Sequence, residues 1–336
     1  MATPHTFHCR ISANHAGLPL VEALAVRFPY LSGGAWRDLI LAGQVLVNGR
    51  PAGPEERIKA GDQIQTRLNG HEEPETVAEI ATVFENEEFL LAEKPAGIPV
   101  SRTGRIIRNT LINLLRRQHG NPDLQLMHRL DRETGGLLLC ARDRTACQRH
   151  QQHLGAILAR KFYLAVVRGS LRVSLHPVAA PLTEKADSPI RCQMHFAAHG
   201  KSATTTLHTL AANQNCSLLL VEPHTGRKHQ IRAHLAHLGH PLFGDKIYSL
   251  AGRYFLARLE RELTDADYLA LGAVNHTLHA WATELHLPGR PPALFFSETV
   301  SQDLRRALEI FPNWRHLARR GLRELGVAPE LLADRP

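Results

Sequence analysis

The hydrophobic positions along the chain fall into two blocks. In the first, Leu20, Val21 and Leu24 share one face of a helix that starts at Pro19. Ala35, Trp36, Leu39 and Ile40 repeat helical spacing between Leu31 and Leu41, with Ser32 as the cap. Gly43 stands where a left-handed residue ends a helix. Val45-Leu46-Val47 then reads as a short strand, Asn48-Gly49 as a tight turn, and Gly61-Asp62 as the turn into the strand Gln63-Ile64-Gln65. These elements make a small unit over 15–69. The polar, acidic stretch that begins Asn69-Gly70-His71-Glu72 reads as a linker over 70–80.

The second block runs over 81–310. Strand patterns appear at Thr82–Phe84, Phe89–Ala92, Gly136–Ala141, Phe162–Val167, Thr204–Leu210 and Ser217–Val221. Helix patterns appear at Asn109–Arg117, Thr145–Leu158 and Lys228–Leu238. The strands outnumber the helices and do not alternate with them, so the class is α+β and not a doubly wound parallel sheet. Residues 251–271 look like an inserted helix. The stretch 300–331 is helical and amphipathic, with Leu304, Leu308, Phe311 and Leu317 among many arginines, and 311–336 forms a helical C-terminal extension.

Composition sharpens this picture. A length of 336 residues fits two domains, and 40 Lys plus Arg against 32 Asp plus Glu leave a net charge of +8. That balance makes a polyanion, nucleic acid first, a candidate partner beside the plainer possibility of a basic enzyme. No run reaches the ~18–20 apolar residues that span a bilayer. Pro4, His5, His8, Arg10 and Asn14 break up the N-terminus before a secretory core forms. The five scattered cysteines contain no C-x-x-C pair, so neither a disulfide framework nor a cysteine zinc site is expected. A cytoplasmic monomer follows as the expectation. His224, His229, His234, His237 and His240 are dense but lack H-E-x-x-H spacing and have no acidic residue among them, so no metal is expected either.

Four motifs carry the chemistry. Glu93-Lys94-Pro95-Ala96-Gly97 is by itself a strand-to-loop transition. Met127-His128-Arg129-Leu130-Asp131-Arg132-Glu133-Thr134-Gly135-Gly136 sets a carboxylate between two arginines ahead of a turn and an apolar strand. The flanking arginines would hold Asp131 ionised, as a nucleophile or base, or as a buried ion pair that stitches a loop. In Arg160-Lys161-Phe162-Tyr163-Leu164-Ala165-Val166-Val167, alternation puts Phe162, Leu164 and Val166 on one face and Tyr163, Ala165 and Val167 on the other. Tyr163 suits a stacking platform, proton transfer or the core. In the segment from Glu222 to Asp245, Ile231, Leu235 and Leu238 form a buried helical stripe. Arg227 and Lys228 stand in the first turn of that helix, where cations make sense if a phosphate docks there, and Arg232 reaches further in, toward a buried carboxylate.

In this order and spacing the four motifs resemble the RluA family of RNA pseudouridine synthases over roughly 81–300. The H-R-L-D-x-x-T-x-G and G-R-K-H-Q-I-R-x-H-L elements are the most specific. Gly135 departs from the serine usual in that family. The small unit, with its helix-helix-G-x-V-x-V-N-G order, resembles the RNA-binding domain first seen in small-subunit ribosomal protein four. The resemblance implies a pseudouridine-synthase domain with a central mixed, mainly antiparallel sheet and flanking helices, preceded by a small α/β RNA-binding domain. It implies cofactor-free isomerisation of uridines in rRNA or tRNA, a non-catalytic RNA-binding protein of the same fold being the alternative. By the same resemblance Asp131 is the catalytic carboxylate, as nucleophile or as stabiliser of a glycal-forming route, Tyr163 stacks on the base or also takes a sugar proton, and Arg232 pairs with the aspartate. Arg129 helps open the duplex or holds the flipped nucleotide, and Ile231 packs beneath the uracil. His128, Arg227 and Lys228 also bind substrate, and Arg37 and Arg50 bind RNA from the small domain.

Overall fold

The computed structural model describes residues 5–28, 31–68, 73, 79–103 and 106–332. The linker expected over 70–80 therefore lies almost wholly outside the described residues. The chain divides into two units, one holding residues up to 75 and 102–109 and the other the rest.

In the first unit β1 (His5–Arg10) precedes α1 (Leu20–Arg27) and α2 (Gly33–Leu41), followed by β2 (Val45–Val47), β3 (Arg50–Pro51) and β4 (Gln63–Leu68). The strands form an antiparallel sheet in the order β1-β4-β2-β3. Ser32 caps α2 by accepting from the Ala35 N–H at 3.1 Å. Asn48 and Gly49, at φ of 51° and 81°, make the two-residue turn between β2 and β3 that only left-handed-tolerant residues allow. Leu20, Leu24, Trp36, Ile40, Val45 and Ile64 close the core.

The second unit opens with β5 (Thr82–Glu85), β6 (Phe89–Lys94), α3 (Leu111–Gln118), β7 (Gln125–Leu126) and β8 (Gly135–Ala141). Then come α4 (Arg144–Gln151), α5 (Leu154–Ile157), β9 (Leu158–Arg168), β10 (His176–Ala179), β11 (Leu182–Glu184), β12 (Met194–Phe196), β13 (Thr204–Ala212), β14 (Cys216–Pro223) and α6 (Gln230–His237). It ends with α7 (Arg253–Glu260), α8 (Asp265–Leu271), β15 (Leu278–Leu285), β16 (Ala293–Phe296), α9 (Gln302–Leu308), α10 (Trp314–Glu324) and α11 (Pro329–Leu332). One sheet runs β10-β13-β14-β9-β15-β8-β6-β5, with β16 on β15 and β7 on β8. Its pairs are antiparallel except β8 with β15, which gives the mixed, mainly antiparallel sheet expected.

Alternation along β9 divides the core. Tyr163, Ala165 and Val167 join Leu111, Leu115, Ile231 and Leu235 from α3 and α6 on one face. Phe162, Leu164 and Val166 join Leu304, Trp314 and Leu322 from α9 and α10 on the other. The stretch drawn as a C-terminal extension thus shares its core with the sheet, and Arg160 donates to the Leu325 carbonyl at 2.8 Å. The helix expected over Thr145–Leu158 is broken into α4 and α5, and α5 ends at Ile157 because Leu158 already pairs with Leu285 in the sheet. The 251–271 insert is two helices, the second opened by a Thr264–Asp267 capping box.

Candidate active site

The loop between β7 and β8 carries Asp131. A Cβ at Gly136 would lie 2.2 Å from the Ala280 carbonyl oxygen, so only glycine lets β8 begin this close beside β15. Directly before it, Thr134 bonds His276 Nε2 at 2.7 Å. Lys94, at the end of β6, is 1% exposed and points its ammonium at three carbonyl oxygens: Pro95 at 2.8 Å, Arg132 at 2.9 Å and Thr134 at 2.7 Å. Three N–H donors meet three acceptors, and two of those acceptors belong to the loop that holds Asp131. Burial lowers the Lys94 pKa to about 7, against the pull of Asp131.

Arg232, on α6, bridges two carboxylates. Its Nη1 donates to Asp131 Oδ2 at 2.8 Å, while Nε and Nη2 grip Asp245 at 2.7 and 2.9 Å. Asp245 is fully buried and also accepts from the Ile247 and Tyr248 N–H groups at 3.0 Å each. The guanidinium lies 5.1 Å from the centre of the Tyr248 ring. Burial alone would raise the Asp131 pKa, but Arg232 and then His229 and His276 outweigh it and set it to about 2. The cation that holds Asp131 is therefore Arg232 and not the flanking arginines. Arg132 turns away to donate to the Gly97 carbonyl at 2.8 Å, and Arg129 is exposed. Three further groups steady the loop. Glu133 takes the Lys246 ammonium at 2.8 Å and the His276 N–H at 3.3 Å, and His229 Nε2 stands 4.0 Å from Asp131.

Asp131, Arg232, Tyr163, Ile231, His128 and Arg129 all line one cleft of about 300 Å³, with Arg227, Lys228 and Lys161 at its walls. Tyr163 is 8% exposed, and burial followed by the charge of Asp131 raises its pKa, so it is a neutral phenol. His128 Nε2 accepts from the Leu139 N–H at 3.0 Å, and burial holds its pKa down to about 4. The imidazole is thus neutral and fixed in the wall. Arg227 and Lys228 do not stand in the first turn of α6. His229, at φ of 54°, turns the chain, and the helix begins at Gln230. Arg227 donates to the Ser202 carbonyl at 2.8 Å, and Lys228 pairs with Glu184 at 2.8 Å. In the first unit Arg37 and Arg50 are exposed, paired with Glu55 at 2.6 Å and Glu56 at 2.5 Å. Among the described residues no group of three or more His, Cys, Asp or Glu is arranged to hold a metal ion. None of their helices is long and apolar enough to cross a membrane.

Residues 88–237 match the family model described as RNA pseudouridylate synthase, and residues 18–64 match the S4 domain. The chain belongs to the RNA pseudouridine synthase family, in its RluA branch. This synthase is 28% identical over 324 residues to Ribosomal large subunit pseudouridine synthase C of Escherichia coli (strain K12), covering 93% of its own length and 99% of that protein. It is 31% identical over 234 residues to the human Pseudouridylate synthase RPUSD2, covering 69% of its own length but only 43% of that relative. The solved structure of Human RNA Pseudouridylate Synthase Domain Containing 4 shares the fold, at a TM-score of 0.52 and 24% identity over 71% of this chain and 92% of that one.

The structure brings the sequence-selected Asp131, Tyr163, Ile231 and Arg232, spread over 101 positions of the chain, together in one cleft. Sequence reasoning missed Lys94, Glu133, His229, Asp245 and Tyr248. The G-D-x-I-Y segment at 244–248 was a usable signal for Asp245, since Arg232 needed a buried carboxylate.

Proposed function

We propose that this synthase isomerises specific uridines of structured RNA, ribosomal or transfer, to pseudouridine, without a cofactor and with Asp131 as the catalytic carboxylate. The observation that carries this reading is an ionised carboxylate, fixed by Arg232 in the wall of a cleft that also holds Tyr163 and Ile231. The reaction breaks the bond between uracil N1 and ribose C1′, turns the base over, and joins C5 to the same C1′. The C5 proton leaves to solvent and N1 takes up a proton in its place, so the step balances without an oxidant. A carboxyl group with a pKa of about 2 is ionised at any working pH but is a weak base. It is suited to bonding or stabilising the electron-poor C1′, and poorly suited to removing a sugar proton. Tyr163, kept a neutral phenol by burial, fits stacking on the detached base better than proton abstraction. Ile231 packs beneath the ring, and Arg129 at the mouth holds the nucleotide out of its stack. Arg227 and Lys228 meet phosphates once substrate competes with their present partners. Arg37 and Arg50 add contacts from the S4 domain, since exposed ion pairs of ~0–1 kcal/mol open readily. The unpaired cysteines suit a reducing cytoplasm.

The test is to map pseudouridines in the total RNA of a strain lacking the gene. At least one site should revert to uridine and be restored by the wild-type chain. An unchanged map would refute the reading.

A further inference from the structure

Lys161 stands two residues before Tyr163 on β9, so both side chains leave the same face of the sheet, roughly 6.5 Å apart along the strand. Its side chain lines the same cleft as Asp131 and Tyr163. Among the described residues it has neither an ion-pair nor a hydrogen-bond partner. The carboxylate that acts on it, Glu222, is already gripped by Arg160 at 2.7 and 2.8 Å. His128, which lines the same cleft, is a neutral imidazole whose Nε2 is engaged with Leu139. Burial lowers the Lys161 pKa, with Glu222 acting in the opposite sense. A partly desolvated ammonium beside Tyr163 thus has no anion hydrogen-bonded to it, Glu222 being held by Arg160, and it favours a further anion in the cleft.

We infer that Lys161 binds a backbone phosphate flanking the uridine that enters the cleft. This rests on the uridine-isomerase reading above. Phosphate is the fitting anion because a lysine ammonium acts as a compact point charge and phosphates are the charged groups that RNA brings. A uracil carbonyl oxygen is the neutral rival.

The probe is an unmodified rRNA or tRNA transcript on which the wild-type protein releases tritium from uridine labelled at carbon 5. Lys161→Met should raise KM with kcat within about twofold. It should also flatten the plot of log affinity against log salt by ~0.7–0.9, the share of one phosphate. The affinity advantage of wild type over the variant then shrinks about threefold between 50 and 200 mM salt, which is that slope applied to a fourfold change. Lys161→Arg should restore the slope. Circular dichroism checks the fold, and Lys161→Gln replaces the Met variant if that one fails to fold. An unchanged slope in a folded variant overturns the phosphate contact, even if binding weakens. If wild type releases tritium, that result removes Lys161 alone; if no transcript releases tritium, the functional reading falls and takes this one with it.

Discussion

Replacing Arg232 by methionine separates the ion bridge from the packing around it. Arg232 neutralises both Asp131 and the fully buried Asp245. Methionine fills similar space but leaves Asp245 with only the two backbone donors at 3.0 Å. Stranding a buried charge by removing its partner costs roughly 3–5 kcal/mol. For a unit of this size that is a fall of roughly 6–20 °C in Tm, at about 2–4 °C per kcal/mol. Asp131→Asn cuts the other end of the bridge, where the carboxylate is 19% exposed and the Arg232–Asp245 fork survives. It should cost about 1.5–3 kcal/mol, the worth of one hydrogen bond to a charged group. Urea unfolding followed by circular dichroism compares the two. Acid sharpens the contrast. The Asp131 pKa is about 2 in the folded chain and near 3.9 in an unfolded one, so its stabilisation is complete above about pH 4 and drains away as pH falls through about 2. Without Arg232 burial no longer leaves the folded-state pKa below the unfolded one, so this acid loss should disappear. If Arg232→Met costs under about 1 kcal/mol, or if Asp131→Asn costs as much, the bridge does not organise the site.

Lys94→Met removes the donors that hold the Arg132 and Thr134 carbonyls, so single-turnover kcat should fall about 10- to 100-fold with RNA affinity little changed; a kcat within twofold of wild type would contradict this. Gly135→Ser should raise stability by about 1 kcal/mol, because the new hydroxyl reaches His279 Nδ1, which is buried without a partner and 3.0 Å from where a Cβ would sit. A lower Tm for the serine variant would show that the imidazole cannot yield. Arg37→Ala with Arg50→Ala should leave Tm almost unchanged, as exposed pairs allow, yet flatten the salt dependence of RNA binding by ~1.4–1.8. An unchanged salt slope would remove both residues from the RNA contact.

Where a strand has one polar and one apolar face, or a turn demands a special residue, the fold was legible. The alternation in β9 and the Asn48-Gly49 turn are such places. The central strand β15 was not, because Leu278–Leu285 is buried on both faces and its polar residues find partners inside. His279 bonds Ser297 at 2.7 Å and Thr283 donates to the Arg160 carbonyl at 3.0 Å, so a pattern that reads as irregular is a fully buried strand. At the site, Asp131 and Arg232 were visible through motifs, but which arginine holds the aspartate was not. Neighbours in sequence pointed to Arg129 and Arg132, whereas the partner comes from 101 residues away. Lys94 stayed invisible because its work is done on backbone carbonyls, which carry no sequence signature.

Tritium release from carbon-5-labelled uridine RNA by wild type and Asp131→Asn, measured beside RNA binding, tests the central claim most directly. Wild type should release tritium, and Asp131→Asn should release none while it binds RNA within a few fold of wild type. Release by the variant at a rate near wild type would show that Asp131 is not the catalytic carboxylate.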